Sequence, residues 1–272
     1  MSERTIVITG ASDGIGAAAA RELTRAGDRV VVVGRSPEKT RAVASELGAE
    51  AFQADFARLD DVRALADRLL EAYPRIDVLA NNAGGIMGAR AETVDGHEKT
   101  FQVNHLAPFL LTTLLLDRLI ESNARVITTS SVANSAFGHL EIDDLDAHGK
   151  YSPNKAYGDS KLANILFTKE LHTRYAARGI TTASFHPGGV ATNFAADSTS
   201  PMRFIYNTVL RRVLISPENG ADTLVWLATA EPGTDWVSGE YYVKRKIAKA
   251  NAQAYDADLA RELWDRSAAT VG

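Results

Sequence analysis

Residues 5–16 read TIVITGASDGIG. The first five, Thr5 to Thr9, are all β-branched, and such side chains crowd a helix but pack well on a pleated surface. A run this short and apolar, stopped by Gly10, reads as a buried strand. Glycines then recur as Gly10-x-x-x-Gly14-x-Gly16, and a helical pattern follows to about Gly27. A glycine-rich turn between strand and helix has a physical use. One glycine bends the chain, another lets backbone approach a phosphate, and the helix N-terminus offers unpaired N–H groups and a positive dipole end. The spacing differs by one residue from the common dinucleotide fingerprint, and no phosphate-loop lysine follows, so the turn reads as a dinucleotide site. A plain tight turn is the bland alternative.

Outward from this turn the theme repeats. RVVVV at 29–33 precedes the helical pattern SPEKTRAVASELG, AEAFQAD at 49–55 precedes a helix over roughly 59–72, and IDVLAN, ARVITTS and ITTASFH occupy 76–81, 124–130 and 180–186. Short continuous apolar strands separated by helices predict a parallel sheet covered on both faces. No linker, repeat or low-complexity segment interrupts the pattern. The expected fold is α/β: one doubly wound, Rossmann-like domain spanning 1–272.

Two helices stand out. The segment over roughly 102–121 is apolar around most of its circumference, from Phe109 to Ile120. It is either a core helix or a subunit interface, and a homodimer or homotetramer follows from the second reading. The other helix is expected to start at Ser152-Pro153, a capping serine followed by proline in the first turn, and to stop at Gly179. It places Tyr157 and Lys161 one turn apart on one face.

The second strand ends VVVGRS, residues 31–36. A carboxylate here would accept from a ribose 2′-OH and favour NAD, but Gly34 and Arg35 occupy the position. A guanidinium suits a 2′-phosphate, and Ser12 can add a hydroxyl, so NADP is favoured. Asp13 argues for NAD by placing negative charge near the same pocket.

Four further residues could carry chemistry: Asn104, Ser131, Tyr157 and Lys161. Ser131 follows the carboxyl end of the strand RVITT, where ligands of open α/β sheets bind. A free tyrosine titrates near pH 10, and lowering that by about three units takes roughly 4 kcal/mol of preferential phenolate stabilisation. A lysine one turn away, with an oxidised nicotinamide, supplies positive charge for it. Tyr157 could then take a proton from an alcohol or give one to a developing alkoxide, with Ser131 holding that oxygen. Gly158, beside Tyr157, weakens the helix by about 1 kcal/mol, which suggests that a cofactor or a backbone passes close.

Together, TGASDGIG, NNAG at 81–84, Asn104, Ser131 and Tyr157-x-x-x-Lys161 resemble the short-chain dehydrogenase/reductase superfamily. VNHLAPFLLT, AYGDSKLANILFTKEL, HPGGVATNF, SPENGADTLVWLA and SGEYY resemble its retinol dehydrogenase and WW-domain oxidoreductase branch more narrowly. The resemblance implies an oxidoreductase that moves hydride between NADP (NAD less favoured) and a hydroxyl or carbonyl of a small, fairly apolar molecule. It implies that Lys161 also bonds the nicotinamide ribose and that Asn104 holds a relay water. It implies a cofactor site formed by Gly10, Ser12, Asp13, Gly14, Ile15, Gly16, Arg35, Asp55, Phe56, Asn81, Asn82, Ala83, Gly84, Tyr157, Lys161, Pro187, Gly188, Val190 and Thr192. Membrane-bound members of the branch carry an N-terminal anchor, whereas this sequence opens on the first strand, so a soluble bacterial-type relative is expected. A non-catalytic NADP(H) sensor remains the reading from another class, with an NAD-dependent alcohol oxidant and a lyase or epimerase as other enzymatic ones.

The remaining features exclude more than they suggest. A net charge of −4 with intermixed signs gives no nucleic-acid footprint, and the basic run KRKIAK at 244–249 reads as solvated surface. The chain has no cysteine, so disulfides and thiolate metal sites are excluded. No signal peptide or membrane-spanning run is legible, and a cytoplasmic protein is expected. EIDDLD at 141–146 lacks calcium-loop spacing and reads as a solvated loop. The stretch 193–212 reads as a substrate lid or as a simple capping helix.

Overall fold

The computed structural model describes residues 3–189 and 215–272. Its strands are β1 Thr5–Thr9, β2 Arg29–Gly34, β3 Glu50–Gln53, β4 Val78–Asn81, β5 Arg125–Thr129, β6 Thr181–His186, β7 Glu240–Val243 and β8 Lys246–Ile247. They form one sheet in the order β3-β2-β1-β4-β5-β6-β7-β8. All neighbours are parallel except the final pair, where β8 returns antiparallel to β7. The expected Rossmann-like architecture is therefore present. Because the strand order reverses between β1 and β4, the loops leaving their carboxyl ends diverge and open a crevice.

The continuous apolar strands are explained by burial on both faces. Ile6 and Ile8 of β1 face one core with Val30, Val32 and Ala80, while Val7 faces the other with Val31, Val33 and Leu79. The first core is covered by α1 (Gly14–Arg25), α2 (Pro37–Leu47) and α9 (Pro217–Thr229). The second lies under α3 (Leu59–Ala72), α5 (Ala107–Leu114), α8 (Pro153–Tyr175) and α10 (Ala257–Val271). The short elements α4 (Lys99–Phe101), α6 (Leu116–Glu121) and α7 (Ala133–Ala136) complete the helices among the described residues.

The apolar stretch expected as one helix over 102–121 is instead a series. A π-helical turn at Gln102–Leu106 joins α4 to α5, and α6 follows at a break after Leu115. Residues Ala107 to Thr112 are all buried, as are Leu115 and Leu119, so the chain itself covers most of this surface. The core reading accounts for its composition. By contrast, α8 starts as expected: Ser152 Oγ accepts from Lys155 N at 3.2 Å and Pro153 lies in the first turn. A short 3₁₀ turn follows it to Gly179, which ends the segment with φ +93°.

Two charged runs serve local structure. In EIDDLD, Asp144 accepts from the N–H groups of His148 and Gly149, and Asp146 accepts from Glu98 N. In KRKIAK, Lys244 and Arg245 take positive φ to turn β7 into β8, and Arg245 pairs with Asp222. Among the described residues no helix is long and apolar enough to cross a membrane. Val190, Thr192 and the 193–212 stretch lie outside the described residues.

The packing of α5, α8 and α10 buries one titratable ring. His105 lies 5.0 Å from the Phe101 ring centroid and within 6.3 Å of Phe109 and Phe167, and both phenylalanines pack on Trp264. Burial lowers its pKa to about 4, and burial lowers that of His186 to about 4 as well. Since a free imidazole titrates near 6.5, the unfolded chain holds more protons between pH 4 and 6.5. Stability therefore rises with pH across this window and is lost as pH falls through it, by up to about 3 kcal/mol per ring. Urea denaturation at several pH values should show this slope, and His105→Phe should make it shallower by up to about one proton. An unchanged slope in the variant would remove His105 from the account.

Candidate active site

The crevice is built first by the turn after β1. Gly10 and Gly14 have φ of +66° and +55°, so both need left-handed backbone. A methyl on Gly10 would sit 2.8 Å from Ala83 Cα, and one on Gly16 would sit 2.4 Å from the Gly10 carbonyl. The turn thus lies directly against the loop after β4. That loop is stitched to β1: the N–H groups of Asn82 and Ala83 both donate to Thr9 Oγ1 at 3.0 Å, and Asn82 Nδ2 donates to the Thr9 carbonyl at 3.0 Å. Asn81 does not join the crevice. It is buried, with Nδ2 donating to Thr112 Oγ1 at 2.9 Å, so it is a strut to α5.

Asp13 caps α1, its Oδ1 accepting from Gly14 N at 2.7 Å. Ile15 and Gly16, in the first turn, line the same opening, at the helix end whose N–H groups lack intrahelical acceptors and whose dipole is positive. Asp13 is also met from α2: Lys39 Nζ lies 3.4 Å from its Oδ2. Lys39 escaped the sequence reading, although it sits in the first turn of a helix that starts right after Arg35. Its charge offsets the carboxylate that argued for NAD.

One cleft of about 860 Å³ runs from these groups across the carboxyl ends of β4, β5 and β6. Its lining includes Gly10, Ser12, Asp13, Gly14, Ile15 and Gly16; Arg35, Ser36 and Lys39; Asp55 and Phe56; Asn82, Ala83 and Gly84; Ser131, Tyr157 and Lys161; and His186, Pro187 and Gly188. Asp55 sits at the lip with Oδ1 accepting from Ala57 N at 3.0 Å. The side walls near Tyr157 are apolar: Ile86, Met87, Val132, Ala133 and Phe137. Val132 and Phe137 are 52% and 49% exposed, which leaves a wide greasy surface beside the phenol.

Tyr157 and Lys161 share one face of α8, as their spacing requires, and the ammonium lies 5.5 Å from the Tyr157 ring centroid. Lys161 is 2% exposed, with Nζ donating to the Thr129 carbonyl at 3.2 Å. Burial alone lowers its pKa to about 7. Its backbone is held too, since Ser130 Oγ donates to the Lys161 carbonyl at 2.7 Å. Ser131 Oγ accepts from Ala133 N at 3.2 Å, and its own proton can point into the cleft.

Asn104 sits behind this wall and is not among the cleft-lining groups. It lies in the π-helical turn, accepts from Gly85 N at 3.0 Å, and donates both amide hydrogens, to the carbonyls of Gly85 and Thr100. Its side chain is a clamp on the loop after β4, so a relay water would have to meet the remaining lone pair of its amide oxygen or main chain nearby.

Gly158 has a definite cause. A methyl there would lie 2.6 Å from Gly138 N, 2.8 Å from Phe137 C and 2.9 Å from the Ala133 carbonyl. The backbone of α7 and its exit, which carry the apolar wall, press onto α8 at this point. Of the two sequence-derived explanations, the passing backbone is correct.

The chain matches a family model described as short chain dehydrogenase over residues 4–203. It is 47% identical to a Streptomyces sp. (strain C5) protein provisionally assigned as a daunorubicin C-13 ketoreductase, over 99% of this chain and 93% of that one. It is 39% identical to Homo sapiens retinol dehydrogenase 13, over 99% of this chain and 85% of the relative. Among solved structures, a protein of uncharacterised function from Mycobacterium paratuberculosis superposes with a TM-score of 0.80 at 34% identity, covering 99% of this chain and 94% of the other.

Gly158→Ala should lower stability by about 1–3 kcal/mol, the usual cost of overpacking, although alanine is the better helix former. It should also reduce turnover by displacing α7 from Tyr157. A variant as stable and active as the parent would mean that α7 can yield freely.

Proposed function

Because the chain belongs to the short-chain dehydrogenase family, within its retinol dehydrogenase-like branch, we propose that it is an NADP(H)-dependent oxidoreductase acting on a fairly apolar alcohol or carbonyl compound. The observation that carries this reading is the continuity of one cleft from the glycine turn to Ser131, Tyr157 and Lys161. A binding module would have no need for the buried lysine beside the phenol.

The chain suits a dinucleotide. The contacts at Gly10 and Gly16 leave room for backbone to approach a pyrophosphate, which the α1 N-terminus would attract. Arg35 and Lys39, with the hydroxyls of Ser12 and Ser36, form a cationic rim suited to a 2′-phosphate. Asn82 to Gly84, Asp55 and Phe56 would flank the adenosine, and Pro187 and Gly188 the nicotinamide. The cofactor, when bound, exchanges hydride with the substrate carbon. Lys161 orients the ribose and biases Tyr157 towards phenolate. In reduction, Tyr157 gives its proton to the oxygen that gains charge, while the Ser131 hydroxyl donates to that oxygen. In oxidation the same proton returns to Tyr157. Asn104 keeps the loop after β4 in register with this pair.

The relatives' names agree with this class: one is named for reducing a ketone and another for oxidising an alcohol. The apolar walls at Ile86, Met87, Val132 and Phe137 favour a substrate with hydrocarbon or aromatic surface next to the reacting carbon. Asp13 keeps an NAD-dependent reading in view.

Tyr157→Phe should cut turnover by roughly 10²–10⁴-fold while NADPH affinity stays within about twofold; an active variant sinks the assignment. Arg35→Ala and Lys39→Ala should each weaken NADPH binding by about 10–100-fold, the scale of a charged hydrogen bond, and leave NADH alone. Equal losses for both cofactors in a fluorescence titration would return the weight to NAD.

A further inference from the structure

Asn134 of α7 is buried, and it reaches back to the main chain of Ser131. Its backbone N–H and its Nδ2 both donate to the Ser131 carbonyl, at 3.0 and 2.5 Å. Its Oδ1 accepts from Ser135 Oγ at 3.0 Å and from the backbone N–H of Asn251 at 2.8 Å. A backbone N–H can meet only the oxygen end of an amide, so Asn251 fixes which end of Asn134 turns to Ser131.

Asn251 lies 117 residues further along the chain, half-buried, just before a 3₁₀ turn at Ala252–Tyr255. Its side chain completes the clamp. Nδ2 donates to the Asn134 carbonyl at 2.9 Å and to the Gly138 carbonyl at 2.7 Å, so it spans α7 and its exit. Oδ1 faces the other way and caps the 3₁₀ turn, accepting from Gln253 N at 2.9 Å. The segment that carries Asn251 is itself anchored. Ala248 N donates to the Tyr241 carbonyl of β7 at 2.9 Å, and the Gln253 amide bonds both the N–H and the carbonyl of Leu140, at 2.9 and 3.1 Å.

We propose that Asn251 is a positioning residue for the active site, holding Ser131 in place through Asn134. The proposal rests on the role given above to Ser131 as a donor to the substrate oxygen. On the upstream side, Ser130 N donates to the Phe185 carbonyl of β6 at 2.7 Å and Ser130 Oγ to the Lys161 carbonyl, so the chain enters Ser131 firmly held. On the downstream side the hold is Asn134, and behind it Asn251. Ser131 Oγ accepts from the N–H of Ala133, the first residue of α7, so a shift of α7 moves the hydroxyl directly. At Gly158 this helix already presses on α8 with no room for a methyl group, which leaves outward movement as the one the clamp resists. Donors of this kind act over a narrow range of distance, and a misplacement of about 1 Å can cost about 10²-fold in rate.

The test uses two Asn251 variants and one control. Asn251→Asp keeps the shape and the cap on Gln253 N, and sets an acceptor where the bridging donor was. Asn251→Ala removes cap and bridge together. Gln253→Ala loosens the same segment at Leu140 without touching Asn134, so it reports what loss of stability alone does. The first readout needs no turnover: the Ala133 amide should exchange with deuterium about tenfold faster in both Asn251 variants and at the parent rate in Gln253→Ala.

The second readout is NADPH-dependent reduction of p-nitrobenzaldehyde, with each Asn251 variant also combined with Ser131→Ala. Ser131→Ala should lower kcat by about 10²–10³-fold, and the Asn251 variants by about tenfold with KM and NADPH affinity within about twofold. In the Ser131→Ala background the same Asn251 substitutions should cost less than about twofold more, because the group they position is gone. Full additivity, parent-like kcat or an unmoved Ala133 amide would reduce Asn251 to a structural residue. If Asn251→Ala does not fold, Asn251→Asp decides alone. A Ser131→Ala enzyme as active as the parent would overturn the role of Ser131, and the proposal with it.

Discussion

An ammonium held out of water at the end of a sheet is the constraint around which this molecule is arranged. Lys161 is desolvated enough to titrate near neutrality, and its charge is held by the Thr129 carbonyl. A buried cation of this kind is tolerated only where its surroundings are fixed. The fixing comes from several directions. Ser130 holds its backbone, Asn164 shares its acceptor, and the π-helical turn lets Asn104 clamp the wall opposite. The two cores on either side of the sheet make these positions rigid. Strain and polarity stored at one point are balanced by ordinary apolar packing everywhere else, as is usual for sites that must do chemistry.

The same arrangement explains which parts could be read from the sequence. Strands such as TIVIT and RVVVV are legible because both faces are buried, so no alternation dilutes the apolar signal. The cap at Ser152-Pro153 and the turn at Gly10 to Gly16 are legible because local backbone chemistry dictates them. Tyr157 and Lys161 follow from the helical period once their helix is found. What escaped depends on contacts between distant segments. Lys39 acquires meaning only when α2 is laid beside the glycine turn, and Asn81 turns inward because Thr112 of α5 waits there. The break of the 102–121 stretch into a π-helical turn and two helices has no signature in hydrophobicity, since both sides of the break are equally apolar. Gly158 announced that something passes close, and only the packing of α7 says what.

Apolar walls and charged rim divide the cleft by function. Its cofactor end is recognised through charge and backbone, which tolerate little variation in geometry. The other end is bounded by Val132 and Phe137, whose half-exposed surfaces offer shape and greasiness without directional contacts. The same scaffold can therefore keep its chemistry while its substrate changes with a few wall residues.

The position of α10 has a consequence for how the protein comes into being. Leu263, Trp264 and Val271 belong to the core beneath α8, and Ser267 touches His105 within it. These residues are made after every other element of the sheet and its helices. Until they are, Phe109 and Phe167 lack the ring that packs on both, and the core around the future active site is open to water. The N-terminal strands can pair early in synthesis, whereas the chemistry-bearing half closes only once α10 has been added.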